Sequence, residues 1–456
     1  MNNRLHLTPL PFHLSYLFQD HLFYSPLEKT RNVSHSTIKY DGLINSVNGS
    51  ILLDTIFKDV KRINLISKFG NINVRQERND GIELKSTLNY TNSKHKFRKT
   101  EYQLRYSVED RILSVWIEAV ESHKSSLSFG GSDMKWEGSL NFNIPKDVDL
   151  NFQNSVGNIK ISGMRNNSCD ISCHFGNIDV SNTHSEFEIE SKSGNIILSD
   201  LKGPITSKTK FGTQTLNKII GNIRCESSSG SVALNTIEGN LDLDSKFGNI
   251  ELKSFKGNAQ ITSSSGKVSI DEFEGKNCKI KSSFGQISLN SIIANLQIAS
   301  SSGNITLNSI EGDVEIESKF GRQKLNDIKG RVKTTSSSGE VILESQIGDL
   351  EIKTTMGNVK TNNCEGKLLV HVQSGEINIK KATIQESMTL HSNLGNINCN
   401  ILNSAEDLSF DLKSTRGEIK IQKGNAKVQK ESDSVVIEKG PIKIKCDTNS
   451  GDIFID

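Results

Sequence analysis

Gly303-Asn-Ile-Thr-Leu-Asn-Ser-Ile-Glu-Gly312-Asp-Val-Glu-Ile-Glu-Ser-Lys-Phe320 carries the pattern that decides how this chain folds. After each glycine comes a polar residue, then apolar side chains two and four places on: Ile305 and Leu307, then Val314 and Ile316. Apolar residues at every second position belong on one face of a strand, because successive Cβ atoms of an extended chain point to opposite sides. Asn304, Thr306, Asp313 and Glu315 then face solvent. Glycine at each turn supplies positive φ without a Cβ clash, and the Asn or Asp beside it tolerates similar geometry.

The same unit extends in both directions. Gly157, Gly176, Gly194, Gly212, Gly230, Gly248, Gly266, Gly285, Gly303, Gly321, Gly339, Gly357 and Gly375 lie 18 apart by subtraction, with 19 at two places, and Gly395 follows after 20. A second glycine often bisects the interval, as Gly221, Gly239, Gly257, Gly312, Gly330 and Gly348 do. Such regularity predicts a parallel β-helix, or β-solenoid, built of nonapeptide half-turns. Only Pro204 and Pro441 follow Pro145, as expected where each N–H must pair with a neighbouring coil. Just before the anchor glycine, Phe175, Phe211, Phe247, Phe284, Phe320, Met356 and Leu394 alternate with Ser193, Ser229, Ser265, Ser302, Ser338 and Ser374. Stacked coils place equivalent residues in contact, so this 36-residue chemical repeat favours a coil of about 36 residues over a flattened coil of about 18.

The flanks differ. Residues 59–150 alternate and contain aromatics, predicting an antiparallel β cap or small sandwich with Trp116, Phe142 and Ile144 in its core. Residues 1–50 hold three of the six prolines and no acid before Asp20, and read as a poorly ordered leader. Residues 151–400 form the solenoid and 401–456 the irregular closing coils and cap, where Lys423 to Lys445 is rich in charge. The fold class is all-β.

Composition excludes several functions. Of 456 residues 34% are apolar and 6% aromatic, with 35 Gly and 6 Pro, which suits neither a helix-rich enzyme nor a disordered tail. A net charge of +2 gives no bulk attraction to nucleic acid, and no apolar run is long enough for a transmembrane helix. Seven cysteines are an odd, dilute set that fits a reducing compartment. With no secretory signal in the leader, an intracellular location is expected, cytoplasmic, or mitochondrial if the leader is a transit peptide.

Candidate chemistry is sparse. Three residues before the anchor glycines stand Ser191, Thr209, Ser227, Ser245, Ser263, Ser282, Ser300, Ser318, Ser336, Thr354 and Ser392, a row that reads as turn hydroxyls bonding the backbone and each other. The doubled glycines and recurring Asp of a calcium roll are absent. Cys169 and Cys173, with His174 and His184 nearby, lack the spacing of a zinc site and read as core cysteines. His371 and His391 stand alone. Asp242, Glu251, Glu315 and Glu351 recur singly opposite lysines, as on a solvated face. No catalytic residue, cofactor-binding residue or metal ligand is expected.

The run Phe142-Asn-Ile-Pro-Lys-Asp-Val-Asp-Leu-Asn-Phe-Gln-Asn-Ser-Val-Gly-Asn-Ile-Lys-Ile, followed by Ser-x-Phe-Gly-Asn-Ile and Ser-Ser-Ser-Gly-x-Val units, resembles the putative-adhesin β-strand-repeat family over roughly 59–456. That resemblance implies a single β-helical body, an adhesin-like role and no catalytic residues. The expectation is a non-enzymatic scaffold binding a protein or glycan; the alternative is a carbohydrate-active β-helix enzyme, a polysaccharide lyase or hydrolase. A monomer is expected, with Ile453 and Ile455 on the last strand offering an edge for self-association.

Overall fold

A computed structural model of the chain describes residues 40–456 apart from 46–48, 79, 92–101, 121–134 and 425. Among these residues there are strands and no helix, and the strands wind into a parallel β-solenoid of about 14 turns. At ~4.8 Å per turn the stack is ~65 Å long. Of the expected leader, 1–39 and 46–48 lie outside the described residues, whereas Tyr40–Asn45 and Ser50–Lys58 are strands.

Successive coils are offset by 18 residues, as between Asn304 and Arg322 or Asn249 and Lys267, which is half the favoured length. Ile305 lies between Ile287 and Gln323, and Val314 lies between Leu296 and Val332. Phe211 accordingly neighbours Ser193 and Ser229, not another ring. Inward positions repeat once per coil and are mostly aliphatic, with buried Gln214, Gln323, Thr334 and Gln346 among them. The Phe position points outward, 63% exposed at Phe211, so the core places no demand on it.

The two halves of a coil are not equivalent. In Val314–Phe320 the buried side chains are Val314, Ile316 and Ser318, in strict alternation. In Ile305–Glu311 they are Ile305, Leu307 and Ile310, because Ser309 takes a left-handed conformation at φ 54° and inserts one extra residue. Asp200, Lys218, Thr236, Ser254, Glu272 and Ser291 do the same in their own coils. A typical coil therefore has three corners, two at glycines and one at a left-handed residue that retains its Cβ, with Ser185, Ala294 and Ile384 replacing the second glycine in their coils.

The glycine corners are sterically exclusive. Gly303 has φ 134°, and a Cβ there would sit 1.9 Å from the carbonyl oxygen of Gly285 in the coil below. The residue after it has a different role from the one expected. Only the glycine adopts positive φ; Asn304 instead accepts the backbone N–H of Arg322, one coil on, through Oδ1 at 3.0 Å. Asn249 does this for Lys267, and Asn222, Asn240 and Asp313 do it at the other glycine corner. These side chains take up donors that the turns leave free between strands.

At both ends the order in space departs from the order in sequence. Arg62–Ser67 lies parallel between Asp149–Val156 and Ile112–Ala119, and Asn71–Gln76 lies parallel between Ile159–Ser162 and Ser139–Ile144. Much of 59–150 is therefore solenoid wall. The antiparallel pairs are Ser50–Lys58 with Gly81–Thr91, Gly81–Thr91 with both Lys135–Glu137 and Ser139–Ile144, and Tyr102–Glu109 with both Tyr40–Asn45 and Ile112–Ala119. Phe142 and Ile144 are buried as expected, but Trp116 is not a core residue. Val115 and Ile117 take the inward positions, so strand parity turns Trp116 out, where the Arg105 guanidinium lies 4.7 Å from its ring centre.

The carboxyl-terminal strands likewise insert. Ile442–Ser450 and Ile453–Ile455 fit between the coil of Ile377–Ile401 and the strand Leu408–Lys423, and Ala426–Ile437 caps that strand antiparallel. Ile453 and Ile455, expected at an open edge, are fully buried with a strand on either side.

Gly303→Ala is expected to lower stability by about 2–3 kcal/mol, from left-handed strain plus the clash with Gly285. Urea denaturation checks this; a change below about 0.5 kcal/mol would mean that the coils can separate to admit a side chain.

Candidate binding surfaces

Alternation sorts chemistry-bearing residues into inward and outward rows, and the inward rows are closed to substrates. All eleven members of the hydroxyl row are buried. Ser227 donates to the Gly230 carbonyl at 3.1 Å and Ser392 to that of Gly375 at 3.0 Å. Ser245, Ser263, Ser282, Ser300, Ser336 and Thr209 hold no such bond. The serines do not bond each other either, because coils ~4.8 Å apart exceed hydrogen-bond reach. Val372 occupies the same row between Thr354 and Ser392, so a hydroxyl is not required there.

All seven cysteines are buried and free. Cys169 and Cys173 point into the core on one wall, with the Cys173 thiol 3.5 Å from the Gly157 carbonyl; His174 and His184 face outward. Among the described residues no group of three His, Cys, Asp or Glu side chains is placed to hold a metal. Burial pushes the thiols of Cys225 and Cys278 up to about 12 and those of Cys173 and Cys364 up to about 11.

The outward rows hold what is accessible. His371 and His391 do not stand alone: they occupy adjacent coils with rings stacked at 4.5 Å, and His391 Nδ1 meets Asp447 in the next coil. Partial burial and then the neighbouring His391 ring hold His371 below the usual imidazole range. Sequence spacing hid this pair, because that coil is lengthened to 20 residues, the offset that also brings Gln385 to Glu365. Of the four solvent-face acids, Glu251, Glu315 and Glu351 are engaged by Lys253, Lys333 and Lys353 at 3.2, 2.7 and 2.5 Å.

Two surface features extend along the solenoid. The first is a trough of about 620 Å³ between Asp200 and Ile293. The left-handed corner residues form one rim, and the residues two places on, including Lys202, Ile220, Lys256 and Ile293, form the other. Its floor is Leu201, Ile219, Ile237, Phe255 and Phe273, the last two stacked at 5.2 Å. Ile220 and Ile293 are 47% and 54% exposed, an apolar surface bordered by ion pairs such as Asp200–Lys218 at 3.6 Å and Glu274–Lys256 at 3.1 Å. No sequence signal marks the trough, because the corner that makes it has no fixed residue type. The second feature, on a different corner, is the edge of Phe175, Phe211, Phe247, Phe284 and Phe320, continued by Met356 and Leu394 and interleaved coil by coil with serine.

These features define a capped, all-β parallel solenoid whose accessible chemistry lies in repeating rows. Within that class, the Toastrack DUF4097 family model matches residues 216–322 and 293–456, more than half of the chain, and the chain belongs to that family. No curated protein matches it. The crystal structure of a "putative cell adhesion protein" from Clostridium sporogenes is similar at 9% identity, covering 89% of this chain and 98% of that one, with a TM-score of 0.14. A likeness at that level carries no argument about function.

Two outcomes follow from the inward rows. Ser263→Ala, which removes a buried hydroxyl that has no partner, is expected to stabilise by about 1 kcal/mol, whereas Ser227→Ala is expected to destabilise by about as much; thermal unfolding of both variants distinguishes them. The raised thiols make stability pH-dependent. Cys225 and Cys278 ionise near 9 when unfolded and near 12 when folded, so their contribution is complete below pH 9 and is lost as pH rises towards 12. Urea midpoints should fall above pH 9, and iodoacetamide at pH 8 should label none of the seven cysteines until the chain unfolds.

Proposed function

We propose that this chain is a non-enzymatic, adhesin-like scaffold that holds a protein or glycan polymer along its side, in contact with several coils at once. The trough over Ile219, Ile237 and Phe255 carries this reading, since it offers an apolar floor at each ~4.8 Å step, bordered by a mixture of charged, hydroxyl and exposed apolar side chains. A site that repeats by translation suits an extended ligand better than a compact one. A polysaccharide lyase or hydrolase would instead need two carboxylates free to flank a single bond. On this rim Glu274 is held by Lys256, Asp200 by Lys218, and Glu272 accepts from Ser254 Oγ at 2.6 Å, an arrangement that supports a solvated border.

The full chain is to be tested against immobilised polysaccharides and arrays of extended peptides. Retention of a polymer is expected, weakened about tenfold or more in Ile220→Glu/Ile293→Glu with an unchanged circular dichroism spectrum. Turnover of a sugar polymer that follows the protein through purification and is abolished by Glu272→Gln would overturn the scaffold reading.

A further inference from the structure

We propose that the Phe/Ser edge is a self-complementary interface through which two copies of this chain pair side by side. Phe175, Phe211, Phe247, Phe284, Phe320, Met356 and Leu394 are 53–64% exposed, an unusual concentration of apolar side chains along one line. Each ring stands two coils from the next, ~9.6 Å, with a serine in the coil between. That spacing leaves a gap one coil wide over every serine. A second ladder offset by one coil fills those gaps, and the merged rings then recur every ~4.8 Å, inside the ~4.5–7 Å range of favourable aromatic pairs. A ring in every coil would leave no gap, and rings further apart would leave holes. A surface pattern that recurs every second coil therefore has the period that interdigitation needs.

Charge selects the same offset. Lys210, Lys246 and Lys319 directly precede rings, with Ser283 before Phe284, whereas Ser228, Ser264, Ser301 and Ser337 directly precede intervening serines, with Lys192 before Ser193 the exception. Two copies related by a twofold axis perpendicular to the solenoid, antiparallel and one coil out of step, place each of the ring-side lysines opposite a serine. In-step pairing would oppose ring to ring and Lys to Lys. The seven apolar side chains expose about 100 Å² each, or roughly 700 Å² per copy, close to the ~800 Å² per partner of a standard stable interface. The trough lies on another corner of the coil and stays open in such a pair, so this inference stands or falls independently of the polymer-binding reading.

Sedimentation of the full chain tests it. The wild type is expected to run as a dimer of the 50.4 kDa chain at micromolar concentration. Phe247→Ser/Phe284→Ser should weaken pairing about a hundredfold with an unchanged circular dichroism spectrum. Ser229→Phe/Ser265→Phe/Ser302→Phe, which makes the edge more apolar but fills the gaps, should weaken it as well. A wild type that stays monomeric at the highest concentration overturns the proposal, as does tighter association of the gap-filled variant, which would indicate unspecific adhesion. A monomeric wild type whose rings are needed for adsorption to insoluble cellulose would make the edge a glycan platform instead.

Discussion

The structure depends on the contact of one turn with the next. At Gly212 a side-chain carbon would lie 2.2 Å from the carbonyl oxygen of Gly194, closer than any real side chain sits. Because both corners are glycine, successive turns nest, and the hydrogen bonds between strands continue through them, as from the Gly212 N–H to Ser229 at 3.1 Å. The Asn and Asp side chains beside the glycines then take up the donors that nesting leaves over, Asn195 capping Thr213 and Asn304 capping Arg322. Corners this tight join the strands of the regular coils without intervening loops.

Solvent-accessible side chains are thereby confined to the outward rows. Inward alternation closes off the hydroxyls and the thiols: the hydroxyl row is buried, and so are all seven cysteines. The outward positions are freed from stacking like on like, which is why Phe211 can neighbour Ser193 and Ser229 while Ile205 neighbours Phe187 and Ile223. A core that repeats with every coil and a surface that repeats with every second coil coexist because close packing constrains the inward positions and leaves the outward ones free.

Several features were hidden for identifiable reasons. The third corner is left-handed yet occupied by Asp, Lys, Thr, Ser and Glu in different coils, so composition does not mark it, and the trough beside it is equally silent. The pairing of His371 with His391 depends on a locally lengthened coil that breaks the regular spacing. The insertion of Ile453–Ile455 between earlier strands reverses the expectation drawn from chain order, because a parallel edge accepts any strand of matching pattern whatever its place in the sequence.

The glycine spacing and the period-2 alternation were sufficient to determine a parallel β-solenoid and the inward placing of Ile305, Leu307, Val314 and Ile316, since each follows from local backbone geometry. Only the tertiary structure decided the length of the coil, the insertions at both ends, the trough and the accessible spacing of the phenylalanines. Those depend on which strand lies beside which, a long-range choice made by packing between residues distant in sequence, and no single repeat contains it.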